Sequence, residues 1–593
     1  MRNINLRYVD ESYDDAGQLT AFNLHCPDNF NFAYDVVDDI AIADPNRRAM
    51  VWCNPEGEEH IFTFGDMKYW SDKTANFLSE AGIQKGDFVL VILRRHYQFW
   101  FTALALAKLG AVMVPATFML KEHDMDYRLN HAQIKAAIVT SVGGIADVVD
   151  HVADACPTLK TRILVNGAGG GKTPRDEDGN FLYDQVPTVV GPALSGPEGV
   201  CASGISREGW LDFNFGVRNA SSKFDRLETA VADPMLMYFS SGTSGDPKMV
   251  LHDGFYSLAH LITAKHWHCV NPEGLHLTIA DTGWGKAVWG KLYGQWLMEA
   301  CILTYDFDRF HANEILDLIG KYQVTTLCCP PTMYRMLMLE DVDAFDLSSL
   351  DYSTTAGEAL NPDLFASWKK HTGLTIFEGF GQTETPLTIA NLRNTKPKPG
   401  SMGKPVPLFH IELQRPDGSE CETGETGEIC IDMTGNTEGI LMEYYRDPEK
   451  TEVAIHDGWY HTGDTAWCDE DGYYWYVGRN DDVIKSSGYR IGPFEIESVL
   501  LEHDAVLECA VTGVPDPIRG TAVKATVVLA EGFTPSEALT KELQSWVKHE
   551  TAPYKYPRII DYVDKLPKTV NGKIRRVDIR RADEKRVVAE GLI

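Results

Sequence analysis

The stretch Asp87–Leu120, DFVLVILRRHYQFWFTALALAKLGAVMVPATFML, decides the fold class. It opens on a β-rich apolar run, passes through a segment with helical spacing and ends on a second apolar run, which is a βαβ pattern. Two strands joined by a crossover helix must lie parallel, and a parallel sheet needs helices on its faces to bury both sides. The same alternation returns in KAAIVTS from Lys135, TRILVNG from Thr161, EILDLIGKYQVTTLCCPPTMYRMLM from Glu314 and LTIFEGFG from Leu374. The first two thirds of the chain are therefore expected to be α/β, with ligands at the strand ends.

At 593 residues the chain is too long for one core, since domains usually hold about 100–200 residues. Its composition, 44% hydrophobic and 24% charged, is that of an ordinary folded protein. The formal charge of -30, from 55 Lys and Arg against 85 Asp and Glu, repels polyanions, so nucleic acid is not an expected partner. The N-terminal stretch MRNINLRYVDESYDDAGQ reaches acidic residues before any apolar h-region forms, and no apolar stretch is long enough to span a bilayer. The chain reads as cytoplasmic. Its 12 cysteines show no CxxC spacing, which argues against a zinc ribbon or a disulfide scaffold and for buried thiols.

Between Asn166 and Trp210 the composition shifts to Gly, Pro and acidic residues, as in a surface excursion that leaves room for contacts in a homo-oligomer. Its NGAGGGKT imitates a P-loop but fails the pattern, because the position five residues before Gly171 is Asn166 rather than Gly. After about Pro405 the pattern turns β-rich, with a hairpin signal at Asp471-Gly472 in TAWCDEDGYYWYVGR. From Asp481, after the polar GRNDD, there remain 113 residues (593 minus 480), enough for one small α+β domain. The expected organisation is a large N-terminal domain of layered α/β sheets with a β-rich subdomain over residues 1–480, and a small mobile α+β domain over 481–593.

One glycine-rich segment stands out against this frame. SSGTSGDPK, Ser240–Lys248, directly follows the apolar run Met235–Phe239. Its glycines let successive N–H groups point into one concavity, its hydroxyls add donors and Lys248 adds charge, a set that suits a phosphate chain. On residues alone, a Gly/Ser surface turn fits equally well.

Six segments in fixed order, YFSSGTSGDPK, TAGEAL, EGFGQTETP, WYHTGD, GRNDDVIKSSGYRIGP and PKTVNGK, resemble the acyl-adenylating superfamily of acyl-CoA synthetases, luciferases and adenylation domains, and most of all its medium-chain acyl-CoA synthetases. The resemblance runs from near residue 30 to Lys573. It implies a two-step reaction: a carboxylate attacks the α-phosphate of ATP, releasing pyrophosphate, and the thiol of CoA then displaces AMP. It implies that Ser240, Ser241, Gly242, Thr243, Ser244, Gly245 and Lys248 hold the β- and γ-phosphates, that Glu384 holds Mg²⁺ and that Thr383 touches the α-phosphate. A loop carboxylate suits Mg²⁺, which takes oxygen ligands. Asp464 resembles the acceptor of both ribose hydroxyls with Arg479 beside it, and Gly357, Glu358, Glu378, Gly379, Phe380, Gly381 and Gln382 resemble the adenine wall.

Lys573 matches the adenylating lysine, where a point charge on a flexible stem meets the attacking carboxylate. Asp481 falls at the superfamily's hinge. Ser487, Gly488 and Tyr489 resemble the pantetheine tunnel, Arg490 a contact to nucleotide phosphate, and Arg519, Lys548, Tyr556 and Arg558 contacts to the phosphorylated end of CoA. Trp284, Lys286, Trp289 and Cys328 fall where relatives line the acyl cavity, and Gly381 takes the place of a tryptophan that closes the cavity of acetyl-specific members. The expected substrates are short- to medium-chain acids, straight or branched, with ATP, Mg²⁺ and CoA. An adenylating ligase that delivers its acyl group to a carrier protein shares the same motifs.

Overall fold

A computed structural model describes residues 3–167, 205–240, 247–358, 360–480, 482–486, 489–516, 520–551, 555–568 and 574–589. The stretch Asp87–Leu120 folds as the expected βαβ unit. Strand Phe88–Ile92, helix Gln98–Leu109 and strand Val112–Pro115 follow one another, and the two strands pair in parallel from Phe88 opposite Val112. Gly110 ends the helix with φ at +68°, a left-handed conformation in which a Cβ carries strain. The helix is apolar on every side because it is buried on every side. Its one lysine, Lys108, is fully enclosed and donates to Asp38 at 2.9 Å and Asp72 at 2.6 Å, so a buried cation is met by two carboxylates.

This unit sits inside an eight-stranded sheet ordered Glu443–Tyr444, Lys248–His252, Leu236–Ser240, Val112–Pro115, Phe88–Ile92, Ala136–Thr140, Thr161–Val165 and Leu211–Asp212. The six strands from Leu236–Ser240 onward run parallel, and the first two are antiparallel additions at the edge. A second sheet of nine strands has a parallel centre that includes Leu275–Thr278, Thr326–Cys328, Tyr352–Thr355 and Ile376–Gly381. Large aromatics fill the space between elements of the two sheets: Trp52 donates its indole N–H to the Arg95 carbonyl at 3.0 Å, and Trp100 donates to the Lys291 carbonyl at 2.7 Å.

The β-rich region is a five-stranded sheet whose longest strand, Trp459–Cys468, pairs with Thr426–Asp432 and Tyr474–Arg479. The turn between Cys468 and Tyr474 carries Gly472 with φ at +80°, where the Asp471-Gly472 signal lies. Beyond residue 481, helices Pro493–Leu501, Glu537–Glu550 and Arg576–Ala589 accompany a three-stranded sheet of Val506–Asp516, Gly520–Leu529 and Ile559–Tyr562, the α+β content expected there. Glu497 is the buried joint of this part, accepting from the Val511 N–H at 2.7 Å and from Nε and Nη2 of Arg576.

Candidate active site

Three sheets meet at residues 382–384. Strand Ile376–Gly381, at one side of the second sheet's parallel set, delivers the chain there, and the next three residues are held by the third sheet and by two neighbouring edge strands of the first. Gln382 donates from Nε2 to the Thr462 carbonyl at 2.9 Å and to Asp464 Oδ2, and accepts at Oε1 from the Tyr460 hydroxyl at 2.7 Å. The Thr383 carbonyl accepts from His252 Nε2 at 2.8 Å. Glu384 accepts at Oε1 from the Tyr444 hydroxyl at 3.0 Å.

At one end of this line lies Asp464, 4% exposed on the long strand of the third sheet. Its Oδ1 accepts from the Tyr476 hydroxyl at 3.0 Å and its Oδ2 from Arg479 at 3.3 Å, and Arg479 stands directly across the ladder from it. Asp464 and Arg479, both expected at the ribose, stand side by side here. At the other end, Lys248 donates from Nζ to the Tyr444 oxygen at 3.2 Å and lies 4.4 Å above that ring. Burial holds its pKa below the ordinary lysine value, against the pull of Glu384. Ser240 and Lys248 face each other as the cross-strand pair that closes the glycine loop. Ser241, Gly242, Thr243, Ser244 and Gly245 lie outside the described residues.

Tyr444 is the residue that sequence reasoning missed. It joins Lys248 to Glu384, and burial beside the Glu384 carboxylate pushes its pKa up, so it stays a donor. It lies in YYRDP, 196 residues from Lys248, with no motif around it. His252 was missed for the same reason. Burial brings its pKa down to about 4, so the neutral ring donates to Thr383 and stacks on Tyr256 at 3.9 Å.

The residues expected to form an adenine wall divide. Gly357 has φ at +97° with open space where a Cβ would stand, so backbone conformation demands glycine there. Glu358 is exposed and accepts from the Thr332 hydroxyl at 2.7 Å. Glu378 points inward instead: it is 4% exposed, accepts from the Leu360 N–H at 3.3 Å, and burial raises its pKa to about 8. Gly379 leaves room for an indole, since a Cβ there would lie 2.7 Å from Trp267. Phe380 is half-buried, with its ring 6.3 Å from that of Tyr476.

The acyl-side expectation needs a correction. Gly381 was read as an opened space, but a Cβ there would stand 2.4 Å from the Trp289 indole and 2.4 Å from the Pro386 carbonyl. The space beside Gly381 is filled by Trp289, whose own N–H donates to the Tyr256 hydroxyl at 3.2 Å. Lys286 donates to the Ala356 carbonyl at 2.9 Å, so the amine that looks misplaced in an apolar wall has a partner. Cys328 is 1% exposed at the end of its strand, and Trp284 precedes helix Gly285–Lys291.

In the C-terminal part, Lys548 and Arg558 gather on one ring: their cationic groups lie 5.8 and 4.6 Å from the centre of Tyr556, and Arg558 donates to its hydroxyl at 2.6 Å. Asp481, Ser487, Gly488, Arg519 and Lys573 lie outside the described residues, as do the side chains of Tyr489 and Arg490.

A buried carboxylate paired with an arginine, a lysine at a glycine loop and a second carboxylate between them suit an enzyme that handles a nucleotide and its phosphates. Comparison with known proteins agrees. Residues 37–441 match the AMP-binding enzyme family and residues 495–573 match the AMP-binding enzyme C-terminal domain. The mitochondrial acyl-coenzyme A synthetase ACSM4 of Mus musculus is 38% identical over 96% of this chain and 93% of its own, and ACSM5 of Homo sapiens is 39% identical over 93% and 90%. Among solved structures, the anthranilate CoA ligase AuaEII in complex with anthranoyl-AMP superposes with a TM-score of 0.80 at 27% identity, covering 95% of this chain and 99% of that one. A benzoate CoA ligase from Burkholderia xenovorans LB400 gives 0.75 at 25% identity, covering 93% and 100%. The chain belongs to the AMP-binding enzymes, and within them to the AMP-forming medium-chain acyl-CoA synthetases. No helix among the described residues is long and apolar enough to cross a membrane.

Proposed function

We propose that this enzyme joins short- to medium-chain carboxylic acids, straight or branched, to CoA in two half-reactions at the junction of the three sheets. The observation that carries the reading is the line of residues 382–384, which links the Asp464–Arg479 pair at one end to Lys248 at the other. Three consecutive residues thereby span from a two-oxygen acceptor suited to ribose hydroxyls to a cation suited to terminal phosphates. The acid's carboxylate oxygen attacks the α-phosphorus of ATP, the bond to the bridging oxygen breaks, and pyrophosphate leaves with that electron pair. The CoA thiol then attacks the acyl carbon, AMP departs as leaving group, and the thiol proton goes to solvent.

Asp464 orients the ribose, with Tyr476, Gln382 and Arg479 fixing the carboxylate in turn. Lys248 meets the charge of departing pyrophosphate. Glu384 is an oxygen donor of the kind Mg²⁺ prefers and would hold that ion, which supplies further positive charge to the phosphates. Lys573 meets the α-phosphate during adenylation. For the second half-reaction the chain divides at 480/481, the C-terminal domain turns about Asp481, and Ser487–Tyr489 line the thiol's approach while Arg490 stays with nucleotide phosphate. Lys548, Tyr556, Arg558 and Arg519 receive the anionic end of CoA.

The acid itself is bounded by Trp284, Trp289 and Cys328, apolar surfaces that favour an alkyl chain by about 0.8 kcal/mol per buried CH₂. The relatives' names place them in mitochondria, and the 11 free cysteines among the described residues suit any reducing compartment. A cytoplasmic location is part of the reading, to be checked by cell fractionation.

The test is pyrophosphate release with MgATP across acids from acetate to octanoate, including 2-methylbutyrate and benzoate, with and without CoA. Steady turnover on adding CoA, strongest for acids between propionate and octanoate, is expected. A burst indifferent to CoA but relieved by a phosphopantetheinylated carrier protein would replace this reading with transfer to a carrier.

A further inference from the structure

On the third sheet, three residues outside the proposed chemistry bring together three different metal-binding side chains. Cys430 and His461 are direct cross-strand partners, Cys430 on strand Thr426–Asp432 and His461 on strand Trp459–Cys468. Glu428 lies two residues before Cys430, on the same face of its strand. The Cys430 Sγ stands 3.4 Å from His461 Nδ1, and a Glu428 carboxylate oxygen stands 3.5 Å from the same nitrogen. All three ligand atoms lie within 4.8 Å of one another.

Those spacings carry chemical information. A tetrahedral zinc ion with Zn–N and Zn–O near 2.1 Å and Zn–S near 2.3 Å sets its ligand atoms roughly 3.4–3.6 Å apart. Two edges of the triangle already match. The donor set of thiolate, imidazole and carboxylate selects a borderline-soft divalent ion over Mg²⁺ or Ca²⁺, which take oxygen. Access is one-sided: the Cys430 sulfur is buried, while the side chains of His461 and Glu428 keep 19% and 23% exposure, so a fourth position opens to water.

The surroundings hold these groups in place. The ring of His456 stacks on His461 at 4.0 Å with 9° between planes, fixing the orientation that turns Nδ1 toward the sulfur. The other Glu428 oxygen accepts from the Gly463 N–H at 2.9 Å, immediately before Asp464.

We propose that Glu428, Cys430 and His461 form a site for one thiophilic divalent cation, Zn²⁺ by preference, that ties two strands of the third sheet together beside the ribose end of the nucleotide site. On binding, the Cys430 thiol gives up its proton to solvent and the ion takes the sulfur lone pair. The site is independent of the acid and of CoA.

Co²⁺ alone is the probe. The full-length protein, stripped with chelator, is titrated with Co²⁺ and followed by absorption and by equilibrium dialysis. One equivalent more than the Cys430→Ser protein binds is expected, with a thiolate-to-cobalt charge-transfer band that Zn²⁺ abolishes by displacement. Removing a direct ligand is expected to weaken this equivalent at least tenfold. His461→Gln, a change at a half-open position, gives the same comparison should Cys430→Ser fail to fold, and each variant is checked by circular dichroism. An unchanged stoichiometry and an unchanged band in the folded variants would overturn the assignment, as would a wild-type protein whose bound Co²⁺ shows no thiolate band.

Discussion

Around residues 382–384 the functional side chains are buried or half-buried and share their hydrogen bonds across three sheets, whereas Lys548 and Arg558 collect around the single half-exposed ring of Tyr556. In the first region each group is oriented before any ligand arrives: Asp464 is gripped by Tyr476, Arg479 and Gln382. In the second, Lys548 is an exposed cation on the last turn of helix Glu537–Glu550. The difference follows the work proposed for each. Stabilising charge on a breaking phosphate bond requires donors fixed in advance in a dry site. Receiving the anionic end of a carrier that must come and go requires only attraction, which solvent and salt screen.

The largest expected effect lies on the buried side. Asp464→Ala removes the acceptor on which three donors converge and is expected to lower kcat/KM for ATP by about a hundredfold or more, since hydrogen bonds to charged groups are worth about 1.5–3 kcal/mol each. Substrate kinetics with ATP as the varied reactant check it.

Next comes Glu378. Its folded pKa of about 8 lies above the ordinary value of 4.5, so between those two values the native state keeps a proton that the unfolded state releases. Stability is therefore fully present below about pH 4.5 and declines as pH rises toward 8, by on the order of 2 kcal/mol between pH 6 and 8. Glu378→Gln is expected to flatten that decline, as seen by denaturant titration at the two pH values.

Tyr444→Phe keeps the ring beneath Lys248 but takes away the hydroxyl that Glu384 accepts. About a tenfold loss in pyrophosphate release is expected, with little change in CoA dependence once adenylate has formed. Trp289→Ala enlarges the space beside Gly381 and is expected to shift preference toward longer acids by about fourfold per added methylene, read as ratios of kcat/KM across the acid series. The smallest effect belongs to the exposed ring: Lys548→Ala is expected to raise the KM for CoA two- to threefold in low salt and less in high salt, below about 1 kcal/mol. A Lys548→Ala loss equal to that of Asp464→Ala would erase the contrast between the two regions.

Much of this was legible in the chain. The βαβ run from Asp87, the strand entering Ser240, the hairpin at Gly472 and the α+β tail follow from local patterns, because period and turn chemistry are written residue by residue. That Asp464 and Arg479 belong near one another was legible through the resemblance, and the fold sets them on adjacent strands of one hairpin. What stayed hidden depends on distant segments. Tyr444 meets Lys248 and Glu384 only because an edge strand adds to the first sheet, and His252 reaches Thr383 across 131 residues. Gly381 misled for a related reason: a missing side chain shows in sequence, but the Trp289 indole that fills its place arrives from another helix.

That exchange of indoles separates two kinds of selectivity. The surface proposed to gauge the acid beside Gly381 belongs to helix Gly285–Lys291, while the chain that carries Gly381 runs straight on into the residues proposed to hold the nucleotide. Substrate range can therefore drift through substitutions on one short helix while residues 382–384, and with them the handling of ATP, stay as they are. A single ancestral scaffold of this kind can serve many acids by repainting one wall.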